Sequence, residues 1–270
     1  MTVETSQSPT VVATAVPALS AASAVTLDPG WPIFQTPLIG RQLVADRTMS
    51  FSFAKPAGWS FRAGQFVDIT LLDPPETDAE GNLRGFSISS APHEGMITIT
   101  TRLRDTAFKR VLQAMPLGTR VTIEGPFGDL RLHHAARPAV LLAGGIGITP
   151  FRSILVETVR SGGLSYPIVL LHANRHPEDA AFADELQALA ANEPRLTFVP
   201  TITAVGGSSQ AWDGERGRID AAMVRRHVSG LPDPIYYIAG PPGMVQALRT
   251  MLVSSGIDED DTRIEEFTGY

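Results

Sequence analysis

An antiparallel β-barrel followed by an α/β domain with a parallel sheet is the fold this sequence predicts. Three observations carry that expectation. Residues 31–134 hold six short β-branched or alternating runs punctuated by Gly, Pro and Asp. Residues 135–270 alternate apolar strands with helical patterns. The change of pattern falls in one loop, 132–137, and a chain of 270 residues has the length of about two domains.

The elements follow in order. Residues 1–30 are dominated by Ala, Ser, Thr, Val and Pro, with only Glu4 and Asp28 charged, and read as a disordered tail. TPLIGRQLVA, MSFSFA, GQFVDITLL, RGFSISS, MITITTRL and TRVTIEG are the strand runs of a closed barrel or sandwich. One helix interrupts them, DTAFKRVLQAM (105–115), where Phe108, Val111, Leu112 and Met115 recur at spacings of three and four and Asp105 is placed to cap. PAVLLAG then runs apolar without alternation, as a strand buried on both faces does. A helix from Pro150 to Arg160, strand 166–173, helix 177–191, strand 195–203, helix 220–228, strand 234–240, helix 242–255 and strand 262–267 complete a parallel sheet with right-handed crossovers.

Composition excludes several functions. With no cysteine, the chain carries no disulfide, thiolate zinc site, cysteine-held iron–sulfur cluster or cysteine nucleophile. A net charge of −6 argues against nucleic-acid binding, which needs a basic face. The most apolar stretch, 138–151, is too short and too glycine-rich to span a membrane. No basic residue precedes Arg41, so a secretory leader is not expected and the cytoplasm is the expected location. His172 and His176 are four apart on a strand end and loop, with no third ligand at a metal spacing.

In open α/β sheets ligands bind at the carboxyl ends of the strands. There the sequence places AGGIGITP (143–150), whose Gly144, Gly145 and Gly147 free backbone N–H groups for an anion, with Thr149 as a helix cap and Pro150 in the first turn. The spacing is not G-x-G-x-x-G. AGPPGM (239–244) opens a second helix the same way, with Gly240, Pro241 and Pro242. In the barrel half, RGFSISS gives Arg84 and Phe86 one side-chain parity and Gly85 and Ser87 the other. An Arg beside an aromatic and a hydroxyl suits a planar, phosphorylated ligand.

R-x-F-S in a barrel, GGxGxTP after the first α/β strand and GPPxM near the end, in that order, resemble the ferredoxin–NAD(P) reductase superfamily over residues 34–270. The resemblance implies FAD on the barrel, NADH or NADPH on the α/β domain, and hydride transfer between them. It implies that Arg84 contacts the flavin phosphates, that Gly85 and Phe86 lie beside the ring system, and that Ser87 sits near the hydride-accepting nitrogen. Thr101 and Thr106 join the flavin site, Thr106 on the helix that caps the diphosphate. Gly144, Gly145, Gly147, Thr149 and Pro150 cradle the dinucleotide, and Gly240, Pro241 and Pro242 lie against the nicotinamide ribose. Phe267 is the aromatic that covers the flavin ring, with Tyr270 as its rival, and Glu265 is the carboxylate near the nicotinamide.

Two departures stand out: Ala239 replaces a frequent cysteine, and three residues follow Phe267. The implied activity is an NAD(P)H-dependent flavin oxidoreductase that passes electrons to a separate ferredoxin, oxygenase component, free flavin or quinone. The alternative is a catalytically idle relative that binds nucleotide and regulates a partner. For the nucleotide, Arg175, Arg216 and Arg218 are candidates for a 2′-phosphate. Asp179 and Glu185, placed to repel one, tilt the expectation to NADH.

Overall fold

The computed structural model describes residues 31–267, apart from 205 and 209. The expected tail 1–30 and Tyr270 lie outside the described residues.

Strands β1 (Ile33–Ala45), β2 (Thr48–Ala54), β3 (Phe66–Leu71), β4 (Leu83–Ser87), β5 (Met96–Arg102) and β6 (Arg120–Phe127) pair antiparallel in the order β4-β3-β6-β1-β2-β5. The two ends of that sheet meet: Ile88, just past β4, bridges Ile99 of β5, and the Ser89 N–H donates to the Thr98 carbonyl at 2.8 Å. The predicted barrel therefore closes. Alternation explains the strands; in β3, Val67, Ile69 and Leu71 turn inward while Asp68 and Thr70 do not. Helix α1 (Ala107–Ala114) buries Phe108, Val111 and Leu112 in the same core. Fully burying side chains of this size stabilises by about 1.5–3 kcal/mol each. Its N-cap is Thr106, not Asp105: the Thr106 hydroxyl accepts from the Lys109 N–H at 3.4 Å, while Asp105 turns to Arg110.

The second sheet holds β7 (Ala139–Gly144), β8 (Ile168–Asn174), β9 (Leu196–Ile202), β10 (Glu215–Arg216), β11 (Ile235–Gly240) and β12 (Thr262–Glu266), parallel in the order β10-β9-β8-β7-β11-β12. All six residues of β7 are buried because the sheet is covered on both faces. Leu141 and Ala143 meet α2 (Ile148–Arg160) and α3 (Ala183–Asn192), whereas Val140 and Leu142 meet α4 (Ala221–Val228) and α5 (Pro242–Ser254).

The helix predicted over 177–191 is broken. A short 3-10 turn, Pro177–Asp179, closes on itself through the His176 N–H and the Asp179 carboxylate at 3.2 Å. Phe182 then takes a left-handed backbone (φ 62°), and α3 begins only at Ala183. The two-residue strand β10 was also unforeseen; it is too short to carry a period. No helix among the described residues is long and apolar enough to cross a membrane.

Candidate active site between barrel and sheet

The chain leaves β7 towards β8 on one side and returns to β11 on the other. The carboxyl ends of β7 and β11 therefore form the point where strand order reverses, the usual ligand crevice of an open α/β sheet. Both glycine loops lie there. A Cβ on Gly147 would stand 2.2 Å from the Ala239 carbonyl oxygen, and one on Gly144 2.2 Å from the Met244 sulfur. These two glycines let the loop after β7 nest against β11 and α5. Gly240 meets Gly144 backbone to backbone, its Cβ position 3.2 Å from the Gly144 nitrogen. Pro241 and Pro242 start α5. Ala239, at the position of the frequent cysteine, is fully buried in the core shared with α2.

Gly145 takes a left-handed conformation (φ 51°), and its carbonyl accepts from His172 Nε2 at 2.9 Å. Burial pushes the His172 pKa down to about 4, against the opposing pull of that hydrogen bond. A neutral imidazole thus holds the glycine loop from beneath. Thr149 does not cap α2. It is the helix's second residue, buried, and its hydroxyl donates to the Ile146 carbonyl at 3.0 Å; Pro150 occupies the first turn as expected.

A cavity of about 970 Å³ opens at this edge, within the range of cofactor sites. Gly144, Gly145 and Pro241 line one part; Asn174, the last residue of β8, Arg175 after it, and Arg218, ahead of α4, line another. The barrel contributes Arg47, Arg102 and Arg104 to its wall. Five guanidinium groups thus border one cavity. Asp220, the carboxylate on the same wall, is occupied in capping α4 through the Met223 N–H at 2.7 Å. The two acids expected to repel a 2′-phosphate are held in ion pairs, one of them with an arginine of the cavity wall. Asp179 is buried and pairs with Arg102 at 3.2 Å, and Glu185 pairs with Arg152 at 2.7 Å. Arg216, on β10, is outside the cavity wall and donates to the Trp212 carbonyl at 2.5 Å.

Between barrel and sheet, the Ser87 hydroxyl donates to Glu265 Oε1 at 2.9 Å, across 178 residues of sequence. Ser87 ends β4, and Glu265 sits on β12 opposite Ala239. Ser87 is 4% exposed. Burial pushes the Glu265 carboxyl up from its ordinary value of 4.5, and the Ser87 hydrogen bond only partly opposes it. The protonated acid is thus favoured by folding. Its contribution to stability is fully present below pH 4.5 and is lost as the pH rises through the raised folded value. Glu265→Gln is expected to remove that loss, so stability should fall less with rising pH in the variant than in the wild type. Denaturant unfolding over a pH series checks this, and identical pH slopes would contradict it. Two residues on, Phe267 is half-buried against the core shared with α2, and its N–H donates to the Gly240 carbonyl at 3.0 Å.

The third cluster lies around the N-terminus of α1. The Arg84 guanidinium carbon stands 5.4 Å from the Phe108 ring centroid, and Phe86 packs on Phe108 at 5.7 Å. Arg84 Nη2 donates to Asp78 Oδ1 at 2.8 Å and lies 3.0 Å from Glu80 Oε2. Burial pushes the neighbouring Lys109 ammonium down to about 8, helped by Arg104 and Arg84. Gly85 faces Asp68 across the ladder, its Cβ position 3.0 Å from Oδ1.

The structure therefore brings Ser87 to Glu265, Gly144 and Gly147 to Gly240, and Arg84 to Phe86 and α1. It does not bring Thr101 to them: this buried residue shares the inward face of β5 with Ile97 and Ile99 and lies opposite Met49. The sequence reading missed Arg47, Arg102, Arg104, Lys109 and Asp78. None sits in a motif: the closing of the barrel on the sheet places the three arginines on the cavity wall, and the folding of the barrel alone brings Lys109 and Asp78 to Arg84.

A model of the oxidoreductase NAD-binding domain matches residues 141–250. Ferredoxin–NADP reductase B of Sorangium cellulosum is 30% identical over 82% of this chain and 91% of its own length. The chain belongs to the ferredoxin–NAD(P) reductase superfamily. A ferredoxin NADP⁺ reductase from Neisseria gonorrhoeae, solved with bound FAD and NADP, has the same fold at a TM-score of 0.70 and 22% identity, covering 88% of this chain and 99% of that one. Reductase component 2 of terephthalate 1,2-dioxygenase from Comamonas sp is 28% identical over 77% of this chain. The chain spans 59% of that relative's length and 60% of two others that it matches.

Proposed function

We propose that this chain is an FAD-dependent NAD(P)H oxidoreductase, with FAD on the barrel and the nicotinamide dinucleotide in the arginine-lined cavity. The observation that carries the reading is the Ser87–Glu265 hydrogen bond, which joins the end of a barrel strand to β12, the strand beside β11 of the strand-order reversal. A bound FAD would supply the redox chemistry, accepting a hydride from the reduced nicotinamide and releasing electrons one at a time.

The chain's own residues bind, orient and shield. Arg84 and the first N–H groups of α1 hold the flavin diphosphate; the Asp78 carboxylate already drawn among them supports this as a place that gathers an anion. Thr106 caps that helix, and Phe86 lies beside the ring system. Gly144 and Gly145 let the dinucleotide diphosphate approach the backbone, while Gly240, Pro241 and Pro242 border the nicotinamide ribose. Ser87 and Glu265 fix the geometry in which nicotinamide and flavin meet. Phe267, two residues past Glu265, is the aromatic that covers the ring until nicotinamide displaces it. The acceptor is a separate redox partner, and the relatives' names support a ferredoxin or an oxygenase component. A free flavin or a quinone would accept by the same chemistry. The protein should purify yellow, release FAD on acid treatment, and bleach anaerobically with NAD(P)H. Release of FMN alone, or no bleaching, would overturn the reading.

We further propose that NADPH is the preferred donor. Arg175 and Arg218 line the cavity, and Asp179 and Glu185, the acids that favoured NADH, are held in ion pairs. A charge-assisted contact to a phosphate contributes about 1.5–3 kcal/mol. Arg175→Ala with Arg218→Ala should raise the KM for NADPH at least about tenfold and leave that for NADH nearly unchanged. An equal loss with both donors would mean that these arginines touch no 2′-phosphate.

A further inference from the structure

The loop between β3 and β4, residues 72–82, is LDPPETDAEGN and carries four acids. Three of them reach back to the cations around α1. Glu76 uses both carboxylate oxygens on Arg110, at 2.9 and 2.5 Å. Asp78 accepts from Arg84 Nη2 at 2.8 Å and from the N–H of Ala107, the first residue of α1. Glu80 stands 3.0 Å from the same Arg84 nitrogen. The other arm of Arg84, Nη1, donates to the Glu80, Gly81 and Leu83 carbonyls. Partial burial opposes ionisation of Asp78, but Arg84 and the N–H groups of Glu80 and Ala107 outweigh it, so the carboxyl stays below its ordinary value and ionised.

The guanidinium and helix N-terminus assigned above to the flavin diphosphate therefore already hold a carboxylate of the chain itself. One set of donors cannot serve both. A diphosphate that takes these donors must first move Asp78 away, and the exchange of one anion for another lowers the net gain. Asp78 is not otherwise buried in the core, and its loop is tied down at the surface by Glu76. No residue of 72–82 belongs to the barrel core. We propose that Asp78 is an internal competitor for the flavin diphosphate, so that the β3–β4 loop sets how tightly FAD is held and how readily it exchanges. This rests on the assignment of FAD to the barrel.

Equilibrium dialysis of the full chain against graded FAD, and separately against riboflavin, tests it. Asp78→Asn should bind FAD about tenfold or more tighter than the wild type, the size of one contact to a charged group. Riboflavin, which has no phosphate, should bind both proteins alike. Glu76→Gln, which unties the exposed anchor at Arg110 and leaves the core untouched, should tighten FAD in the same direction by a smaller factor, and decides the matter should Asp78→Asn not fold. Wild-type FAD binding with no gain in the variants, a loss in Asp78→Asn, or an equal gain for riboflavin would each overturn the competitor role while leaving FAD on the barrel. Failure of every protein to bind FAD would overturn both.

Discussion

Ser87→Ala is expected to slow reduction of the bound flavin by NADPH about a hundredfold, the cost of roughly 1 Å of misplacement between reacting groups. The hydroxyl it removes is the donor to Glu265 Oε1 at 2.9 Å, between the barrel and the parallel sheet. Without it the buried Glu265 carboxyl loses the partner that opposes its raised pKa. The end of β4 and the end of β12 are then no longer tied together at the point where the proposal has the two ligands meet. Flavin content should stay near that of the wild type, because the groups around Arg84 proposed to hold the flavin diphosphate are untouched. Ser87→Thr keeps the hydroxyl and should recover most of the rate. Anaerobic stopped-flow measurement of flavin bleaching checks all three statements, and an unchanged rate in Ser87→Ala would remove this junction from the chemistry.

Arg84→Ala should lose flavin rather than fold. A charge-assisted phosphate contact contributes about 1.5–3 kcal/mol, roughly ten- to a hundredfold in affinity. The side chain belongs to a surface cluster with Asp78 and Glu80, and it packs over Phe108 without entering the core. The melting temperature without added FAD should therefore move little, while the flavin retained through purification drops. Arg84→Ala and Asp78→Asn should thus shift FAD affinity in opposite directions although the two side chains are partners, a pattern that a merely structural ion pair would not give. Full flavin occupancy in Arg84→Ala would make it an ordinary surface arginine.

Much of this was legible in the sequence because periodicity is local. Val67, Ile69 and Leu71 alternate, and PAVLLAG does not, and those two patterns separate a barrel strand from a strand covered on both faces. The break before α3 was not legible. It depends on the Asp179 carboxylate turning back to His176 and outward to Arg102, a residue 77 positions away in the barrel. The N-cap of α1 lies one residue past the expected Asp105 for a similar reason: Arg110 draws the Asp105 carboxylate away, and the Thr106 hydroxyl is left to cap the turn.

The site divides the same way. The two glycine loops were readable as helix openings at strand ends, but the close contact of Gly147 with Ala239 needs the parallel pairing of β7 with β11. Ser87 and Glu265 could be paired only through the family resemblance, because 178 residues separate them. Asp179 and Glu185 looked free in a linear reading and are not. Arg47, Arg102 and Arg104 carry no local signature, and they come to border one cavity only when the barrel closes against the sheet.

The central claim is that nicotinamide in the cavity and flavin on the barrel meet beside Ser87 and Glu265 and exchange a hydride directly. The measurement that tests it most directly is anaerobic single-turnover bleaching of the flavin by NADPH carrying deuterium at C4. Bleaching is expected to be slower with the deuterated donor than with the ordinary one, and the deuterium is expected to leave the nicotinamide. Bleaching at the same rate with both donors in a step limited by chemistry, or deuterium retained on the oxidised nucleotide when both C4 positions are labelled in turn, would contradict it.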